Sequence, residues 1–290
     1  MEISQISYSL HIIVTAAILT LLSACTSLVN SATATMATNL SSAILNSDDP
    51  QTVADGAPAY LLLLDSMLRN KPDKPQLLRS AATLYSAYAR VFVKDKRRVQ
   101  RMSKHALGYA IRAVCVENKA ACHLHQMNFT DYQALLDTLS QEDVPGWYIL
   151  GVAWAGWIDA NRQDWSTMAE LPRVEAIMDR LATLDGSFKQ GGPHLYLGIL
   201  STLLPPALGG KPAMGRRHFE KADSIAKGKN LIIKVMFAEK YARLVFDQDL
   251  HDALLNEVIS ANPIVPDLTL MNILAQQRAR ELLATGQDYF

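Results

Sequence analysis

From Gly191 to Asn230 the chain places an apolar helix, a hinge and a second helix in direct succession. Leu195, Leu197, Ile199 and Leu200, with Leu203 and Leu204, leave the first of these helices little surface fit for water. Pro205–Pro206 should end it, since neither ring offers an N–H and each bars the preceding residue from helical angles. Gly209–Gly210 turns the chain, and Pro212 suits the first turn of the next helix. Gly215, Phe219 and Ala222 then fall four and three apart on one face. A small residue, an aromatic and an alanine at that spacing let two helices approach closely, as in the second half of a tetratricopeptide-type hairpin.

The spacing recurs upstream. Ala106, Ala110 and Ala113 repeat it, and Trp147, Leu150, Gly151 and Trp154 follow the pattern W-x-x-L-G-x-x-Y with tryptophan in the aromatic slot. Helical periodicity begins near Thr52. A second helix follows, with Asp73 as its cap and Pro75 in its first turn, and packs through Leu77, Leu78, Ala81, Ala82, Leu84, Tyr85, Tyr88 and Ala89. Further helices are predicted from Val144, over Pro172–Leu184, over Leu231–Val245 and over Asp249–Ser260. A last one, Leu268–Leu283, turns Leu270, Ile273, Leu274 and Leu282 inward. No stretch alternates apolar and polar residues in twos between turn pairs, so no sheet is expected. The pattern predicts an all-α fold over residues 52–290: tetratricopeptide-like helical-hairpin repeats forming an α-solenoid, with a C-terminal capping helix.

The first 51 residues follow a different rule. Ile12–Leu22 is an apolar run of about eleven residues, the length of a signal-peptide core and short of the roughly 20 that span a bilayer. It leads into Leu22-Ser23-Ala24-Cys25, which resembles a bacterial lipobox, with cleavage before Cys25 and a covalent lipid on its thiol. Residues 1–24 then read as a lipoprotein signal peptide, although Met1–His11 holds Glu2 and no Lys or Arg where export favours positive charge. Residues 25–51, rich in Ser, Thr, Ala and Asn, read as a flexible tether. Thr26 in place of the inner-membrane retention signal Asp is compatible with the outer membrane.

Composition narrows the partners. The 290 residues carry 28 basic and 28 acidic side chains, a formal net charge of zero. No basic groove for nucleic acid is implied. Basic charge concentrates at Lys94, Lys96, Arg97, Arg98, Arg101 and Lys104, either a solvated helix face or a dock for an acidic partner or lipid headgroups. Asp247, Asp249, His251 and Asp252 also lie together, a group that helix N-capping by Asp247 or Asp249 explains. Cys115 and Cys122 would stand ~10 Å apart on a continuous helix. A break at Asn118-Lys119-Ala120 would let them pair in an oxidising compartment; the alternative is two buried thiols. Catalytic and metal motifs are missing. Lys211 after Gly209–Gly210 has neither the preceding strand nor the following hydroxyl of a phosphate-binding loop, and Cys122-His123-Leu124-His125 has no second cluster to complete a zinc site. Tyr196, Lys211 and Tyr241, around the hinge and on its flanking helices, are the candidates for contact with a ligand or partner.

Longer matches carry a resemblance. Asp55-Gly56-Ala57-Pro58, Gly192-Pro193-His194-Leu195-Tyr196, Leu204-Pro205-Pro206-Ala207-Leu208-Gly209-Gly210, Gly215-Arg216-Arg217-His218-Phe219, and Asn230 with Lys234, Ala238, Tyr241 and Ala242 resemble the T component (TatT) of tripartite ATP-independent periplasmic (TRAP) transporters, over about residues 50–283. The resemblance implies a lipid-anchored, α-helical protein on the periplasmic face of the envelope, a homotrimer associated with the solute-binding P protein. It brings no catalytic residues and no cofactor, and none is expected beyond the lipid on Cys25. On this reading the chain is a non-enzymatic accessory subunit that holds the solute-binding protein or passes it a small organic ligand. The rival readings are a repeat scaffold for envelope assembly and an enzyme with an unadvertised site.

Overall fold

The computed structural model describes residue 40 and residues 42–290, so the leader and Cys25 lie outside the described part. Twelve α-helices fill it, with no strand among the described residues. Helix α1 (Pro50–Asn70) starts earlier than its apolar periodicity suggests. Asp49 accepts from the amides of Gln51 and Thr52, and Pro50 occupies the first turn, where its missing N–H costs nothing. Helix α2 (Pro75–Val91) also opens on proline, but its N-cap is Lys74 without a side-chain bond. Asp73, the expected cap, stands 3.8 Å from Arg112 instead. Asp95 caps α3 (Lys96–Glu117), which joins the basic stretch and the alanine stripe in one helix of 22 residues. Ala106, Ala110 and Ala113 are buried along it.

Helix α4 (Phe129–Asp137), capped by Asn128, and the single turn α6 (Trp165–Met168), capped by Asp164, are too short to show a period. Between them, α5 (Val144–Ala160) buries Trp147, Leu150, Gly151 and Trp154, and α7 (Leu171–Asp185) buries Val174, Met178 and Leu181, as the pattern predicts. Trp154 is fully enclosed, and a side chain of that kind contributes on the order of 2–3 kcal/mol by leaving water.

Helix α8 (Phe188–Ser201) stops before the Pro205–Pro206 pair is reached. The Thr202 hydroxyl donates back to the carbonyl of Gly198 at 2.8 Å, and the amide of Lys211 donates to Ser201 at 2.8 Å, so the hinge itself satisfies the last carbonyls. Helix α9 (Pro212–Ala226) then buries Gly215, Phe219 and Ala222 against α8. The expected helix over Leu231–Val245 is instead α10 (Ile232–Met236) continuing into a π-helical turn, Phe237–Ala242. Asp247 caps α11 (Gln248–Ser260), and α12 (Thr269–Ala284) closes the chain.

Consecutive helices pack on one another, α2 on α3, α5 on α7, α7 on α8, α8 on α9 and α11 on α12. Their apolar side chains form two main cores. One gathers α1 through α8, the other α8 through α12. Helix α8 is the wall between them, since Leu197 belongs to the first core and Leu195 to the second. At the far end α12 reaches α1. There the Asp267 amide donates to the Asn46 side chain at 2.8 Å, and the Asn46 amide group donates to the Asp267 carboxylate at 3.3 Å.

The inward face of α12 differs from the predicted one. Leu270 and Leu282 are buried, Ile273 and Leu274 only half so, while Asn272 and Gln276 lie inside. The reason is a set of loop groups that need partners. Asn272 accepts from the Leu231 amide and donates to the carbonyls of Lys229 and Pro263. Gln276 donates to those of Val258, Ile259 and Ala261. Buried carbonyls at a helix end cost about 1–3 kcal/mol each when unpaired, which two well-placed carboxamides avoid.

Candidate functional site

The region where the two cores meet is shaped by an unusual turn. Lys189, Gln190 and Gly191 at the start of α8 all hold left-handed backbone angles, with φ of 48°, 58° and 84°. For the two side-chain-bearing residues this costs roughly 1–2 kcal/mol each, so packing must offset it. That packing is visible at the next two glycines. A Cβ on Gly191 would stand 2.9 Å from the Cα of Ala222, and one on Gly192 only 2.5 Å from the Tyr148 hydroxyl. The left-handed turn thus presses bare backbone against α9 on one side and seats Tyr148 of α5 on the other.

Tyr148 meets Tyr196 edge to face at 6.0 Å between ring centres, and Phe188 likewise at 5.3 Å. Both tyrosines keep part of their surface accessible, yet burial raises both phenols above the usual range, Tyr148 the more strongly. Arg90, at the end of α2, opposes that rise. Its charge lies close enough to favour the ionised Tyr196 phenol, and it directs a guanidinium nitrogen to the sulfur of Met236 at 3.6 Å, from the other core. Among the described residues no carboxylate pairs with it. One turn earlier on α2, the Ser86 hydroxyl is buried without a hydrogen-bond partner. The exposed Arg90 guanidinium and the two phenols therefore meet at one junction, a donor set of the kind that receives an anionic group attached to an apolar body.

Lys211 lies elsewhere, in a cavity of about 280 Å³ lined also by Met168, Pro172, Glu175, Leu200 and Leu204. Its ammonium stands 3.3 Å from Glu175. Burial and the neighbouring Glu175 raise the Asp179 carboxyl, while Lys211 lowers it. Close by, His194 and His218 face each other through their Nδ1 atoms at 3.1 Å, linking α8 to α9. Burial depresses both imidazoles, and each also feels cations, Lys221 at His194 and Arg217 at His218. Both are therefore neutral at pH 7, one donating and one accepting.

Tyr241 is buried in the π-helical turn, 5.3 Å from Phe237, with Arg216 near enough to feel its phenol. The three residues singled out from the sequence thus share no partner. Tyr196 belongs to the Arg90 junction, Lys211 to the hinge cavity and Tyr241 to the second core. Arg90 and Tyr148 escape sequence reasoning. The signal available for Arg90 is a lone cation inside the apolar run Tyr85–Val93. Cys115 and Cys122 are joined by a disulfide, their Cα atoms 4.5 Å apart, because α3 ends at Glu117 and a 3-10 turn from Lys119 brings Cys122 back. The Cys122-His123-Leu124-His125 segment puts His125 edge-on to Trp154 at 4.7 Å, and no cluster of three metal-binding side chains forms among the described residues.

The model of the family described as TRAP transporter T-component matches residues 46–290. The chain belongs to that family. No curated protein matches it. As a T component it is an accessory part of a TRAP transporter, and among the described residues no helix is long and apolar enough to cross a membrane. The T-component match spans both cores, the hinge and the Arg90 junction.

Proposed function

We propose that this chain is a non-enzymatic, lipid-anchored subunit on the periplasmic face of the envelope, which binds the solute-binding protein of its TRAP transporter and holds a small organic anion at the Arg90 junction. The anchor would be the lipid on Cys25, with the outer membrane as its place and the homotrimer as its assembly. The stacked pairs of α5 with α7 and α8 with α9 support tetratricopeptide-like repeats as the framework. The observation that carries the ligand reading is Arg90, a guanidinium without a carboxylate partner among the described residues, beside Tyr196 and touching Met236 across the two cores. Such a donor set recognises a carboxylate or similar anion.

The test is a crosslinking pulldown of the tagged lipoprotein from native membranes, with mass spectrometry of both the captured proteins and the small molecules released from them. Recovery of a TRAP solute-binding protein supports the transport reading, and recovery of envelope-assembly factors alone refutes it. An organic acid that copurifies with the parent and is lost in Arg90→Ala supports the junction as the site. Equal recovery from both removes it.

A further inference from the structure

We propose that the end of the molecule from which the N-terminal segment leaves α1 rests on anionic lipid headgroups, through Lys94, Lys96, Arg97, Arg98, Arg101 and Lys104. All six side chains are exposed. None makes an ion pair among the described residues. Asp95, the acid within the stretch, is taken up as the cap of α3, accepting from the Arg98 amide at 2.7 Å. The opposite face of the same turns is committed to the core through Met102, Ala106 and Leu107. The cations thus form an outward surface, with only Arg98 also engaged inside the protein, over the Tyr88 ring.

Helix register puts this surface beside the chain's point of attachment. Tyr85 of α2 donates to Asp65 of α1 at 2.6 Å, and Arg98 of α3 lies over Tyr88 of α2 at 5.7 Å. Helices α1, α2 and α3 therefore run up, down and up. The start of α1, the end of α2 and the start of α3 share one end of the bundle, and α5 ends there too, with the Ala160 carbonyl accepting from Gln100. Any lipid on Cys25 is tied to the molecule through that end. The acids of the same end include Asp48, Asp49 and Asp55 on the approach to and first turns of α1, and Asp159 and Asp164 around the end of α5. Asp49 is held by the α1 amides, Asp55 by Gln51 and Asp159 by Arg162, and none of them pairs with the six cations at the start of α3.

The chemistry of the patch favours a bilayer over a protein. Specific protein interfaces centre on buried aromatic or aliphatic anchors and are depleted in lysine. Here flexible cations predominate, and the one aromatic exposed just beyond the end of α5, Trp165, suits the headgroup level of a bilayer, so the patch fits a diffuse anionic surface. The inference rests on the Cys25 anchor for its setting, though the patch can be tested apart from it.

The full-length protein, reconstituted in phosphatidylcholine vesicles with and without about one-third phosphatidylglycerol, would be treated with an amine-acetylating reagent and mapped by mass spectrometry. Lys94, Lys96 and Lys104 are expected to be protected several-fold by the anionic lipid, at low salt only, while Lys227 and Lys229 react equally in both. Reversing Arg97, Arg101 and Lys104 to Glu should weaken partition of the unacylated full chain to anionic vesicles by on the order of 100-fold or more, at about fivefold per cation lost. Equal lysine reactivity in both vesicles with Cys25 acylated overturns the proposal. So does protection that appears only on adding the solute-binding protein, which would make the patch a protein dock. Salt-sensitive vesicle binding by a chain found unacylated at Cys25 upholds the patch and refutes the anchor.

Discussion

His194 and His218 show how much a single contact can report. Their Nδ1 atoms share one proton at 3.1 Å, and burial holds both pKa values below the ordinary 6.5. The unfolded chain therefore binds protons that the folded pair refuses. The pair's contribution is complete above pH 6.5 and falls as the pH drops from 6.5 through the folded values. Thermal unfolding should thus move to lower temperature between about pH 7 and 5, and the His194→Asn, His218→Asn double variant should flatten that slope. An unchanged slope in a folded variant would show that other groups set it. Tyr196 was legible as an aromatic on an apolar helix, but the role of Arg90 was not. Its contact with Met236 spans 146 positions along the chain, and no local period encodes such a pairing.

At the scale of the element, punctuation read well. Prolines open α2 and α9 where expected and Asp247 caps α11, whereas Pro50 opens α1 ahead of its predicted start and Lys74, not Asp73, stands at the cap of α2. Wide apolar faces were equally clear at α5, α7 and α9. What stayed hidden were elements decided by tertiary demand: α4 and α6, shorter than a readable period, and α12, where carboxamides replace leucines to serve loop carbonyls. The π-helical turn at Phe237–Ala242 interrupts a sequence that reads as uniform helix, because a local period cannot register one extra residue per turn. The Cys115–Cys122 bridge depended on a helix stop that Asn118 supplies by capping the next turn. Closing so short a loop stabilises by about 2–3 kcal/mol in the chain-entropy picture. Replacing both cysteines by serine should lower the unfolding temperature in oxidising buffer and leave no difference from the parent under reductant. Two free thiols in non-reducing peptide maps of the parent would remove the bridge from the account.

Across the whole molecule, the all-α class and the order of helical pairs were legible, since neighbours in sequence are mostly neighbours in space. The division into two cores about α8 was not, because Leu195 and Leu197 look alike in sequence and differ only in which core takes them. Nor was the seam between α12 and α1. Breaking its polar link with Asn46→Ala should cost about 0.5–1 kcal/mol and raise hydrogen exchange together at the first turns of α1 and α12. A rise at one alone would show that the two ends open separately. The seam also bears on how the protein is made. A ribosome delivers α1 well before α12, so α1 waits for that neighbour until all the helices between them have been made. A product cut short between the hinge and α12 leaves the α12-facing part of α1 without its cover, a standing mark by which proteases can tell an unfinished chain from a finished one.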